Sequence, residues 1–328
     1  MEAWTVAEYG AYREVLRYGE VERPAPGPGA ALVRVRAAGV SFAQILRIAG
    51  KYQIRDPLPF TPGTDAAGEV VEAGPDCPYP PGQRIMGTAP NGAYGQYVAM
   101  PAETSTLIPD RMPYPDAAAF LNAYQTAYVG VVYQGRLQPG DVLLVHGAAG
   151  GVGLAAVQVG RALGATVIAT ASSPDKLAAC RAQGAHHAID YTREDFVQAV
   201  LDYTDGDGAD IVYDPVGGDV FDKSRRCIAF DGRLVVVGFA SGRIPEIAAN
   251  RMLLRTFSVT GFTLHGYKRH RPDLLDQAQQ HLFQLYAQGK LKPVISHLLP
   301  LARLVEALEL VEGRKSIGKV ILEPPHEG

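Results

Sequence analysis

The sequence predicts an α/β protein in which a doubly wound parallel sheet domain is joined to a mostly β domain. From about residue 124 to 264, short apolar runs alternate with helical patterns, and a glycine-rich turn joins the first run to its helix. Strands that are apolar throughout and separated by helices are typical of a parallel sheet covered on both faces. Residues 1–123 are rich in glycine, proline and short β-type runs, which indicates a compact barrel-like domain.

The segment Val142–Ala156 has the pattern of a phosphate-binding turn. Its apolar run stops at His146, and a turn of small residues leads into an alanine-rich helix. The dinucleotide pattern G-x-G-x-x-G is matched by Ala148, Gly150 and Gly153, so the first glycine is replaced. Such a turn lets backbone N–H groups and the positive end of a helix dipole approach a diphosphate. A glycine-rich turn without a ligand is the alternative, but a second strand, Thr166–Thr170, follows at the distance expected for a β-α-β unit.

The end of that second strand favours NADPH over NADH. NAD-binding folds usually place an Asp or Glu there to bind the ribose 2′-hydroxyl, whereas this chain continues after Ala171 with Ser172 and Ser173, and Lys176 follows. Hydroxyls and an ammonium would bind a 2′-phosphate, which a carboxylate would repel. Ser173 and Pro174 also form a typical helix start, and an exposed helix lysine is the ordinary alternative for Lys176.

The remaining predicted elements follow from the same apolar patterns. Further strands of the sheet are expected at Asp210–Asp214, Arg233–Gly238 and Phe257–Gly261, with helices near 174–183, 194–203 and 219–229. The last part contains helices near 272–288 and 301–311 and a final strand, Gly318–Leu322. The order of a mostly β part, an α/β part and a short final part ending in a strand predicts that the parallel sheet domain is inserted into the first domain.

Composition and charge exclude several classes of protein. The net charge of −3 on 328 residues gives no general attraction to nucleic acid or to anionic membranes, so we expect neither as a partner. No apolar run approaches the roughly 20 residues that span a bilayer, and the first residues lack signal-peptide features. The three cysteines are too scattered for a zinc knuckle and too few for a disulfide framework, which favours a reducing cytoplasm.

Taken together, several segments resemble one known family over essentially the whole chain. They are Gly39–Gln44, Pro62–Gly68, Pro81–Arg84, Gly92–Tyr97, Thr126–Tyr128, the loop around Gly150, and Asp214–Gly218. The chain resembles a zinc-independent medium-chain dehydrogenase/reductase of the NADPH:quinone oxidoreductase (zeta-crystallin-like) family. The resemblance implies a GroES-like catalytic domain formed by residues 1–123 and 265–328, a Rossmann NADPH-binding domain at 124–264 and an active site in the cleft between them. It also implies a homodimer paired along the sheet edge near Phe257–Thr260.

The residue types argue against a metal site. Zinc alcohol dehydrogenases of the same superfamily have a Cys near the position of Ser41 and a His in a Gly-His-Glu stretch, where this chain has Thr64 followed by Asp65. A catalytic zinc needs three His, Cys or carboxylate ligands, and no Cys or His lies near 41, 64 or 121–123. Without a Lewis acid, the acceptor must already be activated, as in a quinone or an α,β-unsaturated carbonyl.

The resemblance also implies which residues contact the acceptor and the cofactor. The catalytic candidates are Tyr52, Ser41 and Gln44, of which the last two stand where relatives commonly carry Asn and Asp. The cofactor-binding candidates are Thr126 at the nicotinamide ribose or its phosphate, Ala149, Gly150, Gly151 and Val152 at the diphosphate, Ser172, Lys176, Tyr191 and Arg314 at the 2′-phosphate, and Gly238, Phe239 and Ala240 at the nicotinamide.

Each of these side chains also has an ordinary interpretation. The alternatives are a Tyr52 that packs beneath a loop, a Thr126 bonded to its own helix, a surface Arg314 and a Phe239 in the core. His146, beside the glycine loop, is predicted to be a strand-end histidine whose hydrogen bonds are satisfied by its neighbours.

The predicted function is NADPH-dependent reduction of quinones or other conjugated carbonyls by direct hydride or electron transfer, with solvent or Tyr52 supplying the proton. An enoyl reductase acting on an enoyl thioester is the alternative. The basic segment His265–Arg271 would give such an enzyme a cationic rim, although a solvated interdomain loop is the interpretation favoured for it. An NADPH-retaining crystallin-like or RNA-binding protein is a third candidate, which the net charge disfavours.

Overall fold

A computed structural model describes residues 1–53 and 55–325. The chain forms two compact units, one containing residues 1–122 and the chain from 293 onward, the other containing residues 123–292. The strands are β1 (Glu2–Val6), β2 (Leu16–Glu20), β3 (Ala30–Val40), β4 (Asp65–Ala73), β5 (Arg84–Thr88), β6 (Tyr97–Pro101), β7 (Ser105–Leu107), β8 (Val142–Val145), β9 (Thr166–Ala171), β10 (His187–Asp190), β11 (Ala209–Asp214), β12 (Ile228–Val236), β13 (Ser258–Gly261), β14 (Ile295–Pro300) and β15 (Lys319–Glu323).

The helices are α1 (Tyr12–Val15), α2 (Phe42–Ile48), α3 (Tyr114–Tyr128), α4 (Gly151–Ala162), α5 (Pro174–Ala182), α6 (Phe196–Tyr203), α7 (Gly218–Ser224), α8 (Ala249–Arg255), α9 (Leu264–His270), α10 (Pro272–Ala287) and α11 (Leu304–Glu312). A π-helical segment, Val129–Gln134, continues directly from α3. Within the described part of the chain, none of the helices combines the length and the apolar character needed to cross a bilayer.

The second unit contains the predicted parallel sheet. Its six strands lie in the order β10-β9-β8-β11-β12-β13, and every neighbouring pair is parallel. The chain winds outward in both directions from the central pair β8 and β11, which makes the sheet doubly wound. In such sheets, ligands bind beyond the carboxyl ends of the strands, at the point where the winding direction changes.

Close helix-to-sheet packing holds the second unit together. A Cβ at Gly160 of α4 would lie 2.4 Å from a methyl carbon of Leu143 in β8, so glycine at this position lets the helix pack closely against the sheet. On α6, Phe196, Val197 and Val200 are buried on the side that joins the core of the sheet. Since α4 follows directly from β8, this packing also fixes the start of α4 at the carboxyl edge of the sheet.

The first unit is built on a sheet of seven strands. Six of them follow the order β14-β15-β3-β4-β5-β7, and β6 also pairs with β3. The pairs are antiparallel except β14 with β15. In the register of this sheet, Val320 of β15 faces Val40 of β3, while Gly39 of β3 faces Asp65 of β4. The sheet of the first unit therefore combines strands that precede the second unit in the sequence with two strands that follow it.

The structure differs from the sequence-based prediction in three places. Residues 1–123 were predicted to form a barrel-like domain of short β-type runs, but the helix α3 begins within them at Tyr114. The predicted loop at 265–271 is wrong, because residues 264–270 form α9. Residues 265–292 lie in the second unit, whereas the prediction assigned them to the first domain. Hydrogen bonds within the second unit explain this last difference: the Tyr133 hydroxyl donates to the carbonyl of Leu274 at 2.9 Å, at the start of α10.

Candidate functional site

The glycine loop between β8 and α4 leaves the start of α4 without a capping side chain. Gly150 is the N-cap of α4, and no side chain caps this helix. The first N–H groups of a helix have no partner within it, so those of Gly151 and Val152 are available to a phosphate. A Cβ at Gly153 would lie 2.3 Å from the Gly147 carbonyl oxygen, whereas a Cβ at Gly150 would meet only that oxygen, at 3.3 Å. The two glycines therefore have different roles. Gly153 allows the loop to pack, whereas Gly150 leaves open the space in front of the start of α4, here called the cradle.

The side chains beneath the loop are buried, and the His146 ring has hydrogen-bond partners on both of its nitrogen atoms. Ala149 is 5% exposed and His146 is 1% exposed. The His146 ring bonds to the Thr170 hydroxyl through Nδ1 at 2.9 Å and to the Ser224 hydroxyl through Nε2 at 2.8 Å. Burial lowers the pKa of His146 to about 3, so the ring is neutral at physiological pH. The prediction that His146 is satisfied by its neighbours is confirmed.

The strand end beside the loop gathers three of the residues predicted to bind a 2′-phosphate. Ser172 follows the last residue of β9, Lys176 lies in the first turn of α5, and the N–H of Tyr191 donates to the carbonyl of Ala171 at 3.3 Å. The Tyr191 side chain is 42% exposed, and Ser172 and Lys176 are half-buried. Hydroxyls and an ammonium thus stand where NAD-specific folds place a carboxylate. Arg314, the fourth predicted residue, follows α11 in the first unit, and its role stays a prediction.

The stretch predicted to line the nicotinamide half rests on the loop after β11. The N–H of Ala240 donates to the Pro215 carbonyl at 3.1 Å, and the N–H of Ser241 donates to the Val216 carbonyl at 2.9 Å. Phe239 is 37% exposed, so the alternative that placed it in the core is wrong. Gly238 leads into this stretch beyond the end of β12.

Asp214 organises the loop on which that stretch rests, and the sequence analysis gave this residue no role. Its carboxylate Oδ1 accepts from the N–H groups of Val216 at 2.8 Å and Gly217 at 2.9 Å. The side chain is fully buried, and burial raises its pKa, although the two N–H bonds act in the opposite direction. Among the described residues, its Oδ2 is buried without a hydrogen-bond partner. The only sequence signal was its position at the end of a predicted strand, inside a motif that carried the family resemblance.

Thr126 lies on α3, in the part that belongs to the second unit. Its side chain is half-buried. Across residues 1–53 and 55–325, no hydrogen bond of its hydroxyl to the helix backbone is found, so the ordinary alternative of an internally bonded helix threonine is not what the structure shows.

In the first unit, the acceptor-side candidates lie on or next to α2: Ser41 and Gln44 at its start, and Tyr52 beyond its end. Ser41 is the N-cap of α2 by its backbone angles, but its hydroxyl makes no capping bond. Gln44 is 2% exposed; its Oε1 accepts from the N–H of Gly63 at 3.1 Å, and its Nε2 donates to the Thr64 hydroxyl at 3.2 Å. The Gln44 amide thus keeps one N–H for any further contact. Tyr52 follows α2 in a loop and is half-buried.

A buried polar network stands where zinc-dependent relatives would hold their metal. Asp65 is 4% exposed and accepts from the Thr64 hydroxyl at 3.2 Å and from the Asn122 amide at 3.2 and 3.3 Å. The ammonium of Lys319 lies 3.6 Å from Asp65 Oδ2. Hydroxyl, amide and ammonium donors surround the only carboxylate of this network, and this set of groups does not suit a zinc ion. Within residues 1–53 and 55–325, no group of three or more His, Cys, Asp or Glu side chains is arranged to hold a metal.

Sequence reasoning missed Asn122 and Lys319 because they are distant from Asp65 in the sequence and are brought to it by α3 and by strand register. In that register, Gly39 of β3 faces Asp65 of β4 and Ile321 of β15, two residues beyond Lys319. A Cβ at Gly39 would lie 3.0 Å from the Ala118 carbonyl oxygen and 3.3 Å from both the Lys319 ammonium and the Asp65 Cβ. Glycine at 39 therefore leaves room both for the backbone of α3 and for the ion pair.

The chain matches two family models and is similar to characterised reductases. Residues 27–110 match the alcohol dehydrogenase GroES-like domain, and residues 151–280 match the zinc-binding dehydrogenase model. A quinone oxidoreductase-like protein 2 homolog of Nematostella vectensis is 40% identical over 294 residues, which cover 88% of this chain and 80% of the relative.

Two solved structures share the whole fold. The Escherichia coli quinone oxidoreductase in complex with NADPH is 29% identical, with a TM-score of 0.91, covering 99% of this chain and 100% of that one. A 2-haloacrylate reductase is 31% identical, with a TM-score of 0.86 and the same coverage. The chain therefore belongs to the NADPH:quinone oxidoreductase family, the zinc-independent branch of the medium-chain dehydrogenases/reductases.

Proposed function

We propose that this protein is an NADPH-dependent reductase of quinones or other conjugated carbonyl compounds that works without a metal. The uncapped start of α4 beyond the open cradle at Gly150 carries the proposal, because a diphosphate fits there and no side chain fills it. The hydroxyls and ammonium at the end of β9 support NADPH over NADH. The E. coli relative, solved in complex with NADPH, agrees with this choice.

When bound, NADPH supplies the reducing equivalents. The protein binds and orients the cofactor and the acceptor and allows a proton to reach the reduced acceptor. The N–H groups of Gly151 and Val152 hold the diphosphate, next to Ala149 and Gly150; the N–H of Gly150, predicted to share in this, donates instead to the Gly147 carbonyl at 3.0 Å. Ser172, Lys176, Tyr191 and Arg314 hold the 2′-phosphate, while Thr126, Gly238, Phe239 and Ala240 position the nicotinamide half.

On the acceptor side, Ser41, Gln44 and Tyr52 orient the substrate, and Tyr52 or solvent delivers a proton to the reduced oxygen. The donors around Asp65 do not suit a Lewis-acid metal, so the acceptor must itself delocalise the negative charge that develops. Quinones and enones do so.

Cofactor preference is the first test. We expect NADPH to bind at least about tenfold more tightly than NADH, which corresponds to about 1.4 kcal/mol. A fluorescence titration of the protein with each nucleotide measures both dissociation constants. Equal affinities would refute the assignment of the 2′-phosphate site.

An enoyl thioester reductase is the second candidate, and the basic helix α9 is the observation in its favour. Steady-state rates with NADPH and 1,4-benzoquinone, 9,10-phenanthrenequinone, crotonyl-coenzyme A or a simple enone separate the two. Quinone turnover without thioester turnover supports the main proposal, and the reverse pattern supports the alternative.

We further propose that the protein is a homodimer of the reducing cytoplasm. The outer strand β13 has no second neighbour within the described chain, so its outer backbone groups can pair with another strand. Phe230, Leu253 and Leu254 lie in the segments beside it and are each more than 70% exposed, which favours a second copy of this chain as the partner. None of the three cysteines forms a disulfide, in agreement with a reducing compartment.

A further inference from the structure

An arginine clamp joins the loop after β12 to α7. The loop, residues 237–248, connects β12 to α8 without regular secondary structure and contains the stretch Gly238–Ala240. Near its middle, the guanidinium nitrogen Nη2 of Arg243 donates to Asp219 Oδ1 at 2.9 Å and also to Asp222 Oδ2. Both carboxylates belong to α7, and because residues three apart share one face of a helix, a single arginine reaches both.

The clamp is held in position at both of its ends. On α7, the second carboxylate oxygen of Asp222, Oδ1, accepts from the Arg225 guanidinium at 3.3 Å, so each oxygen of this group has a partner. On the loop, the backbone N–H of Arg243 donates to the Ser241 hydroxyl at 3.3 Å. The backbone N–H of Ser241 donates in turn to the Val216 carbonyl at 2.9 Å. Arg243 therefore acts on backbone that is itself attached just beyond the end of β11.

The loop packs directly on the start of α7. Gly218, the first residue of this helix, has a φ of 57°, a conformation that favours glycine. A Cβ at this position would lie 2.7 Å from the Ser241 hydroxyl oxygen and 3.6 Å from the Arg243 Cβ. A Cβ at the preceding Gly217 would lie 3.1 Å from a ring carbon of Phe239. The contact with α7 thus runs along the loop from Phe239 to Arg243.

We propose that Arg243 is a positioning residue: by attaching the loop to α7, it fixes the stretch Gly238–Ala240, against which the nicotinamide half of NADPH rests in the proposed function. The inference depends on that function. Exposed ion pairs contribute little to global stability, so the effect is local. The start of α4 and the end of β9 hold the phosphates in the proposed function. Loss of the clamp should therefore leave NADPH affinity nearly unchanged but slow the transfer step, which depends on the orientation of the ring.

Single-turnover kinetics test the positioning role. NADPH-loaded protein is mixed with excess 1,4-benzoquinone, and the decay of the reduced-nicotinamide absorbance gives the rate of the transfer step. For Arg243→Gln we expect this rate to fall at least about fivefold, while the NADPH dissociation constant stays within about twofold of that of the unmodified protein. An unchanged transfer rate, or a fall that only follows weaker NADPH binding, would overturn the proposal.

Arg13→Gln is the matched control. Arg13 also bridges two carboxylates, Glu309 at 2.9 Å and Glu312 at 3.1 Å, and its side chain is 51% exposed, against 49% for Arg243. Because Arg13 belongs to α1 in the first unit, we expect its replacement to keep the transfer rate. An equal fall in both variants would mean that losing any such surface pair slows the enzyme, and the assignment to Arg243 would be wrong.

Exchanging the charges distinguishes the clamp from a general effect of the substitution. Arg243→Asp places a third carboxylate beside Asp219 and Asp222 and should slow the transfer step at least as much as Arg243→Gln. Arg243→Asp/Asp219→Arg again joins an arginine to a carboxylate between the loop and α7, so it should recover at least about half of the original rate. A double variant as slow as Arg243→Asp would contradict the clamp.

Amide hydrogen exchange separates this inference from the proposed function. It is measured without nucleotide on peptides covering residues 239–242, in which two N–H groups bond to the backbone carbonyls that follow β11. We expect exchange there to be at least about fivefold faster in Arg243→Gln and unchanged in Arg13→Gln. If the quinone is not reduced, the reductase function fails, while faster exchange in Arg243→Gln alone still supports the clamp. Equal exchange in all three proteins refutes the clamp, whether or not the quinone is reduced.

Discussion

At the scale of single residues, His146 lies beneath the glycine loop and joins three elements. Ser224 donates its only hydroxyl proton to the carbonyl of Val220 at 2.7 Å, so its oxygen accepts from His146 Nε2–H. Nδ1 is then the acceptor for the Thr170 hydroxyl, a tautomer assigned from the hydrogen-bond network. The ring thereby ties the end of β8 to β9 and α7, and it does so only when it is neutral.

The stability of the protein should therefore depend on pH through His146. Its pKa is about 3 in the folded protein and about 6.5 in the unfolded chain, so the unfolded state binds the proton first as pH falls. The contribution is fully present above about pH 6.5 and is lost progressively down to about pH 3. Between pH 7 and pH 5 the loss amounts to about 2 kcal/mol. Urea unfolding of the protein and of His146→Gln at both pH values measures it; identical pH dependence in the two would contradict the assignment.

In the proposed 2′-phosphate site, Lys176 is the side chain whose positive charge would favour NADPH. Replacing it by alanine should weaken NADPH binding about tenfold, or about 1.4 kcal/mol, and leave NADH binding nearly unchanged, because only NADPH carries the 2′-phosphate. Nucleotide titrations of Lys176→Ala and of the distant control Lys290→Ala provide the comparison. Equal losses for both nucleotides would show that Lys176 acts through the fold.

At the scale of elements, two glycines in the turn from β8 into α4 have different roles: Gly153 is needed for packing, and Gly150 leaves space for a ligand. Gly153→Ala forces a Cβ to within 2.3 Å of a backbone oxygen, so we expect a loss of stability of about 2 kcal/mol or more. Gly150 has a φ of −79°, which alanine adopts freely, so Gly150→Ala should cost at most about 1 kcal/mol. Its methyl group would still occupy the cradle and weaken NADPH at least about tenfold. Thermal melts and titrations of both variants check the contrast; a Gly150→Ala protein with full affinity would argue against diphosphate binding there.

How far the sequence predicts each element depends on whether its signal is local. Five of the six strands of the parallel sheet (all but β10) and the glycine turn were predicted, because their apolar runs and small residues are contiguous. The helix α9 was not, since its residues are basic and show no apolar periodicity, and it is fixed instead by the Thr263 cap and by Tyr267. The Asp65–Lys319 pair was out of reach because 254 positions separate the two residues and only strand register joins them.

At the scale of the whole molecule, the exposed apolar face beside β13 predicts the oligomeric state. The variant Leu253→Asp/Leu254→Asp should convert a dimer of about twice the chain mass into a monomer, because two buried charges would oppose the association. Light scattering coupled to size-exclusion chromatography measures the mass. Leu107→Asp, an exposed leucine of the first unit, is the control and should keep the dimer. A monomeric unmodified protein would refute the proposed interface.

The discontinuous first unit has a consequence for biosynthesis. When a ribosome has translated the first 292 residues, all six strands of the parallel sheet have been made, but β14, β15 and α11 have not. Until they emerge, one side of β3 near Val40 lacks its partner and Asp65 lacks its ammonium. The second unit can thus mature during elongation, whereas the sheet of the first unit is completed only once residues 293–323 have also been translated.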